Sequence, residues 1–131
     1  MSKTAVIVEF RILTPNMPAD EITRVLKLEP DLTWNKGEVI GKSKLKRKQY
    51  GWVLSTGKRT DVHDLDVLIL EILKRLKGAQ SRLTQVHTKF KSEHVLACVI
   101  YSAESFPSVH LNPAILRELI KLDATLDIDL Y

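Results

Sequence analysis

Apolar and polar residues alternate strictly over residues 4–14, which predicts a β-strand with one buried face. The apolar positions on that face are Val6, Val8, Phe10 and Ile12. Glu9 and Arg11 fall on the opposite face, and Pro15 ends the pattern. We therefore expect the first element to be a strand that packs one side against the protein core.

Several later segments also have residue patterns that are typical of β-strands. Residues 31–34 and 50–56 are predicted to be extended, and residues 84–90 alternate between apolar or β-branched positions and polar ones. Residues 95–101 are apolar on both faces, which is typical of a strand at the centre of a sheet. Residues 126–130 alternate again and predict a last strand.

Three segments keep the helical period instead. Residues 18–28 carry an apolar stripe between two prolines. Residues 61–77 form the strongest pattern, with Asp61 as the predicted N-cap and Gly78 after the last turn. Residues 112–122 begin with an Asn-Pro pair that suits a helix start. In this third helix the predicted core-facing residues are Leu116, Leu119 and Ile120.

The resulting order is β-α-β, β-α-β, β-α-β within one domain spanning residues 1–131. It predicts an α+β fold, a two-layer sandwich in which three helices cover one face of a mostly antiparallel sheet. The first two units alone have the ferredoxin-like order. Residues 22–28 also resemble residues 116–122 at an offset of 94, which indicates either an internal repeat or chance similarity between two amphipathic helices.

Composition indicates a globular chain, with 44% hydrophobic and 27% charged residues. Its single cysteine, Cys98, cannot form an internal disulfide. The first ten residues lack the apolar core and cleavage site of a signal peptide, and the longest apolar run is too short to cross a bilayer. We therefore expect a soluble, cytoplasmic protein with no membrane partner.

Two glycine pairs come close to phosphate-binding loops. Gly37 and Gly41 are separated by three residues where such a loop needs four, and no amphipathic helix follows them. Gly51 and Gly57 are one residue too far apart. The four histidines are scattered, with no i,i+4 pair among them and only one cysteine to join them, unlike the paired ligands of a zinc site. The sequence thus predicts no cofactor and no metal.

The residues also offer little for catalysis. Asp127 and Asp129 share one face of the last strand and could act as paired carboxylates, although a solvated sheet face explains them more simply. Ser55 and Ser102 lack the strand–turn–helix setting of a nucleophile, and Cys98 lies in the apolar strand. We expect no catalytic residues and therefore no enzyme.

Positive charge is concentrated in one short segment of the chain. Residues 36–59 hold eight basic residues and one acid, a net charge of +7, whereas the other 107 residues hold twelve basic and fifteen acidic ones, a net charge of −3. The predicted partner-binding residues are Lys42, Lys44, Lys46, Arg47 and Lys48. A local basic surface of this kind favours an acidic partner, a nucleic acid, or a solvated edge strand that the lysines protect from pairing.

Several short motifs occur in an order that resembles the bacterial family called domain of unknown function 4279. They are Ile22-Thr, Leu26, Glu29-Pro30, Trp34-Asn-Lys36-Gly37, Gly51-Trp52 and Leu126-Asp-Ile-Asp-Leu-Tyr131. The resemblance spans nearly the whole chain. It implies a small α+β domain without established catalytic residues, and it suggests the role of an immunity protein.

Together these observations predict a non-enzymatic protein-binding domain, in its most specific form an immunity protein that neutralises a cognate bacterial toxin. The alternative is a nucleic-acid-associated domain that binds through the basic segment, residues 36–59. Trp34 and Trp52 are expected to anchor the fold more than to contact a partner.

Overall fold

The computed structural model describes residues 4–60, 62, 64–101 and 109–131. The strands are β1 (Ala5–Thr14), β2 (Leu32–Trp34), β3 (Tyr50–Ser55), β4 (Arg59–Thr60), β5 (Glu93–Tyr101) and β6 (Ala124–Leu130). The helices are α1 (Ala19–Leu26), α2 (Asp66–Leu76), α3 (Gln80–Phe90) and α4 (Pro113–Lys121). The fold is thus mixed α+β, as the sequence predicts.

The strands form one six-stranded open sheet in the order β2-β3-β1-β5-β6, with the short β4 beside β1. Every pairing is antiparallel except that of β5 with β6, which is parallel. β1 lies in the middle of the sheet and β5 next to it, so both apolar strands are flanked on each side. The edge strand β2 leads into the basic segment.

One hydrophobic core lies between the sheet and the helices. It takes the even-numbered side chains of β1, from Val6 to Ile12, together with buried residues from all four helices. Because strand side chains alternate, the odd-numbered side chains of β1 lie on the other face of the sheet. Glu9 and Arg11 are therefore on the face that the helices leave open.

The predicted strand at residues 84–90 is wrong, because these residues belong to α3. The same segment fits two periods: Thr84, Val86 and Thr88 alternate, but Ala79, Leu83 and Val86 follow a helical spacing and are buried in the core. Packing of that helical stripe decides between the two. The threonines lie on the outer side, where the hydroxyl of Thr84 donates to the carbonyl of Gln80 at 3.1 Å.

Over the described residues there are consequently four helices, in the order β-α-β-β-β-α-α-β-α-β, in place of three equal β-α-β units. No strand lies between α2 and β5. β5 therefore both ends the predicted second β-α-β unit and begins the third. In the order β5-β1-β3-β2 every neighbouring pair is antiparallel. β5 therefore runs parallel to β3 with β1 between them, and β1 runs parallel to β2 with β3 between them.

The predicted core face of α4 is also wrong in part. Leu119 is buried as expected, but Leu116 and Ile120 are 43% and 74% exposed, and Ile115 and Leu122 are buried instead. The helix carries two overlapping apolar stripes, and the position of the sheet selects one of them.

The offset of 94 therefore pairs Ile22 and Leu26, both buried, with the exposed Leu116 and Ile120. Equivalent positions in an internal repeat would have matching burial. The similarity between the two helices follows from their common period.

The predicted helix start at Asn112 is confirmed, since its side-chain Oδ1 accepts from the N–H of Ile115 at 3.0 Å and Pro113 follows in the first turn. The predicted N-cap Asp61, as well as His63 and Ser102, lies outside the described residues. Within the described chain, no helix has the length and apolar character needed to cross a membrane.

Candidate binding surface at the basic hairpin

Asp31 anchors the start of β2, the strand that leads into the basic segment. Its Oδ2 accepts from the backbone N–H of Ser55 at 2.8 Å and from the guanidinium of Arg75 at 2.7 Å. Partial burial raises the pKa of this carboxyl, but the bonds from Arg75 and Ser55 outweigh it and lower the pKa below its usual value. The start of β2 is thus tied to both β3 and α2.

The chain between β2 and β3 forms a hairpin, which we call the basic hairpin (residues 37–48). Its arms are joined by the N–H of Arg47 to the carbonyl of Glu38 at 2.7 Å and by the N–H of Ile40 to the carbonyl of Leu45 at 2.8 Å. Val39 and Lys46 form an isolated bridge between these bonds. The basic segment is therefore not one long loop, because β3 and β4 occupy residues 50–55 and 59–60.

The structure separates the predicted partner-binding residues into two groups. Lys42, Lys44, Lys46 and Lys48 are all exposed, the first two near the hairpin turn and the others along its second arm. Arg47 is half-buried, and its guanidinium carbon lies 3.9 Å from the centroid of the Trp34 ring. Arg47 therefore holds the hairpin to β2 through a cation–π contact.

Trp34 can take this position only because residue 51 is a glycine. Trp34 and Gly51 are partners in the pairing of β2 with β3, and a Cβ built on Gly51 would come within 2.0 Å of the indole. The indole thus lies across the glycine on the open face of the sheet while Arg47 stacks over it. The sequence places these three residues apart, and strand register brings them together.

A cleft of about 570 Å³ lies between the open face of the sheet and the basic hairpin. Its lining residues are Glu9, Arg11, Leu13, Leu32, Trp34, Ile40, Leu45, Lys46, Arg47, Lys48 and Gln49. Leu32 and Leu45 are 51% and 69% exposed, so the cleft has large apolar side chains that the fold itself does not cover. Four cations and one carboxylate make its charge strongly positive.

Arg11 and Glu9 form an ion pair in this cleft. The Nε and Nη2 atoms of Arg11 lie 2.9 and 2.8 Å from the same oxygen, Oε1 of Glu9. Both side chains are partly shielded from solvent, with exposed fractions of 27% and 18%. The sequence alone does not mark these two residues as a site, and its one indication is their shared position on the polar face of β1.

A second tryptophan close to the hairpin in sequence lies in the core. Trp52 is fully buried, and its Nε1–H donates to the hydroxyl of Thr23 at 3.0 Å, which joins β3 to α1. Trp52 therefore anchors the fold, as the sequence predicts.

The remaining candidate motifs do not converge on a site. Asp127 and Asp129 lie on β6 in register with Ala97 and Val99, which places them on the open face of the sheet. Among the described residues, no group of three or more His, Cys, Asp or Glu side chains could hold a metal ion. The glycines at 37 and 41 belong to the basic hairpin, so no helix follows them to form a phosphate loop.

A buried polar network that the sequence does not reveal surrounds His94. Its Nδ1–H donates to the carbonyl of Leu122 at 2.7 Å, and its Nε2 pairs with the hydroxyl of Ser92 at 3.0 Å. His87 joins through a 2.7 Å bond from its Nδ1 to the carbonyl of Ser92. Burial is the main reason that the pKa of His94 is lowered, so this side chain is neutral near pH 7.

Cys98 lies on the core side of β5 and is buried. Burial raises the pKa of its thiol to about 11, which keeps it protonated and unreactive.

Comparison with curated proteins and with solved structures gives no match. A family model described as "Domain of unknown function (DUF4279)" matches residues 3–131, nearly the whole chain. The match covers β1, the basic hairpin with its two flanking strands and the β6 strand in one alignment. The chain therefore belongs to the DUF4279 family.

Proposed function

We propose that this protein is a non-enzymatic binding domain whose basic hairpin docks on an acidic surface of a partner protein, and that in its most specific form it is an immunity protein that neutralises a cognate bacterial toxin. The observation that supports this proposal is uncompensated charge. Lys42, Lys44, Lys46 and Lys48 are exposed, and none of them joins an ion pair among the described residues.

The hairpin is also held in place before any partner arrives. Its arms are hydrogen-bonded to each other, and Arg47 is stacked on Trp34. A preorganised surface loses less conformational entropy on binding than a flexible loop does. The backbone that carries the lysines therefore has a defined geometry, which favours a specific partner.

Local positive charge also suits a protein that must capture its target quickly. Complementary charges raise association rates, from about 10⁵–10⁶ M⁻¹s⁻¹ for neutral surfaces to as much as about 10⁸–10⁹ M⁻¹s⁻¹ at low salt. A domain that neutralises a toxin inside the cell gains from such rates. The basic hairpin would supply them toward an acidic toxin surface.

The nucleic-acid alternative has less support. Single-strand binders combine basic grooves with aromatic rings on which bases stack. Trp52 is buried, while Trp34 is packed against Gly51 and covered by Arg47, so neither indole is free to serve as a platform. If this alternative held, mixed-sequence oligonucleotides would bind with an affinity that falls steeply as salt rises.

An affinity pull-down from the native host, analysed by mass spectrometry, tests the proposal. The bait is compared with a variant in which Lys42, Lys44, Lys46 and Lys48 are all changed to Gln. We expect one protein to be captured by the wild type at low salt and lost from the variant. The captured protein should then be toxic when expressed alone and harmless when co-expressed with this domain.

The matched control changes four other exposed lysines to Gln, namely Lys27, Lys74, Lys77 and Lys89. This control has the same net charge as the test variant but keeps the hairpin intact. Equal loss of the partner from both variants would show that net charge alone, and not the hairpin, governs binding. Capture of nucleic acid in place of a protein would favour the alternative.

A further inference from the structure

The cleft beneath the basic hairpin combines exposed apolar side chains with positive charge, whereas the lysines at the hairpin turn offer charge alone. Leu32 and Leu45 leave 51% and 69% of their surface uncovered, and both line the cleft. Exposed apolar residues that share a concave site are typical of surfaces that bury something. Arg11 lies in the same cleft, so an apolar wall and a cation are available together.

Only some of the N–H donors of Arg11 have a hydrogen-bond acceptor among the described residues. A guanidinium has five N–H donors, and the ion pair with Glu9 directs Nε and Nη2 to a single carboxylate oxygen. The other donors of Arg11 have no acceptor among the described residues. A second carboxylate could therefore bind to Arg11 without displacing Glu9.

The walls of the cleft limit what this anion can be. Arg11, Lys46, Arg47 and Lys48 attract any anion, so charge alone does not distinguish a carboxylate from a phosphate. The exposed apolar side chains of Leu32 and Leu45 favour an anion that is carried beside a hydrophobic group. An acidic side chain next to a large aliphatic residue meets both conditions.

We infer that the cleft receives a glutamate or aspartate of the partner protein, flanked by a large apolar residue, with the carboxylate on Arg11 and the apolar neighbour between Leu32 and Leu45. The inference rests on the proposed function, because the occupant is a segment of the same partner. The lysines attract the acidic surface, and the cleft provides the buried anchor that such an interface needs.

Two blocked tripeptides test this inference without the partner: acetyl-Leu-Glu-Leu-amide and its Leu-Gln-Leu counterpart. Each is titrated into ¹⁵N-labelled full-length protein and followed by amide chemical shifts. We expect the glutamate peptide to give saturable shifts in β1, β2 and the hairpin, with affinity about tenfold higher than that of the glutamine peptide. Equal affinities, or shifts confined to other surfaces, would overturn the inference.

Two variants of the ion pair should act in opposite directions. Arg11→Gln should abolish the preference for the glutamate peptide, whereas Glu9→Gln should strengthen glutamate binding several-fold because it removes a negative charge next to the bound carboxylate. A merely structural role would make both changes weaken binding, and that result would contradict the site. The double change Lys27→Gln and Lys89→Gln, at exposed lysines outside both the hairpin and the cleft lining, should leave the tenfold preference intact.

The peptide test of the cleft and the pull-down test of the proposed function can fail independently of each other. Failure of the tripeptides, with the partner still lost when the lysines are neutralised, would reject the cleft and leave the proposed function standing. Tripeptide binding that depends on Arg11, with no partner captured through the hairpin lysines, would establish the cleft as a carboxylate site and reject the proposed function.

Discussion

The guanidinium of Arg47 lies over the indole of Trp34, 3.9 Å from the ring centroid, and this contact fastens the basic hairpin to the edge of the sheet. It turns a lysine-rich segment into a surface with defined geometry. The indole occupies the space above Gly51 on the neighbouring strand β3. The position of the hairpin therefore depends on the absence of a side chain at residue 51.

Gly51→Ala should destabilise the protein by roughly 1–3 kcal/mol, because its new methyl group would overlap the Trp34 ring. Urea denaturation gives the free energy of unfolding. In a Trp34→Ala background the same change should cost much less, since the clashing ring is absent. A cost that is equal in both backgrounds would show that the clash with Trp34 is not the cause.

Stability should fall as the pH drops below about 6.5, the ordinary pKa of histidine. The pKa of His94 is lowered mainly by burial and also by nearby His87, while the bond to Leu122 and the charge of Asp123 oppose the shift. The unfolded state therefore binds the proton first, and stability is lost until the pH passes the lower pKa of the folded state.

Urea unfolding at pH 8 and pH 5 measures this loss. His94→Gln should reduce the difference between the two pH values, although it lowers stability at both because the bond to Leu122 or Ser92 is weakened. Gln85→Ala, an exposed and uncharged control on α3, should leave the difference unchanged. An unaltered pH dependence in His94→Gln would contradict the assignment.

Leu119→Ala should cost about 2–5 kcal/mol of unfolding free energy, the usual range for a buried leucine. Ile120→Ala, one position further along α4, should change stability by less than about 0.5 kcal/mol because this side chain is 74% exposed. Thermal or urea unfolding of the pair tests which stripe of α4 faces the core. Equal costs would mean that both stripes are packed.

Cys98 should react slowly with thiol reagents in the native protein at pH 8, because its pKa is raised to about 11 and the side chain is buried. In denaturant the reaction should reach the rate of an ordinary cysteine. The measurement is the release of a chromophore from an aromatic disulfide over time. Fast reaction of the folded protein would show that β5 opens readily.

Much of the fold is predictable from residue pattern alone. β1, β3, β5 and the helix start at Asn112 follow from alternation, continuous apolar runs and cap chemistry, each of which is a local property of the chain. The ordered motifs around Trp34 and Gly51 also indicated the family, which the match over residues 3–131 confirms. The proposed partner and the role of the lysines stay predictions.

Where two local patterns coexist, the sequence cannot choose between them. Residues 84–90 fit both a strand and a helix, and α4 carries two apolar stripes, so packing against the sheet decides each case. The cleft is not visible in the sequence either, because Arg11 and Leu45 come to line one cleft only after strand pairing has placed the hairpin beside the open face.

The type of fold, most of the strands and the concentration of positive charge in one segment follow from the residue pattern, since each depends on neighbours along the chain. Tertiary structure alone decided which lysines are free, that Arg47 is stacked on Trp34, and that a cationic cleft with apolar walls lies beneath the hairpin. Those features join residues far apart in the chain, and only strand register and core packing bring them together.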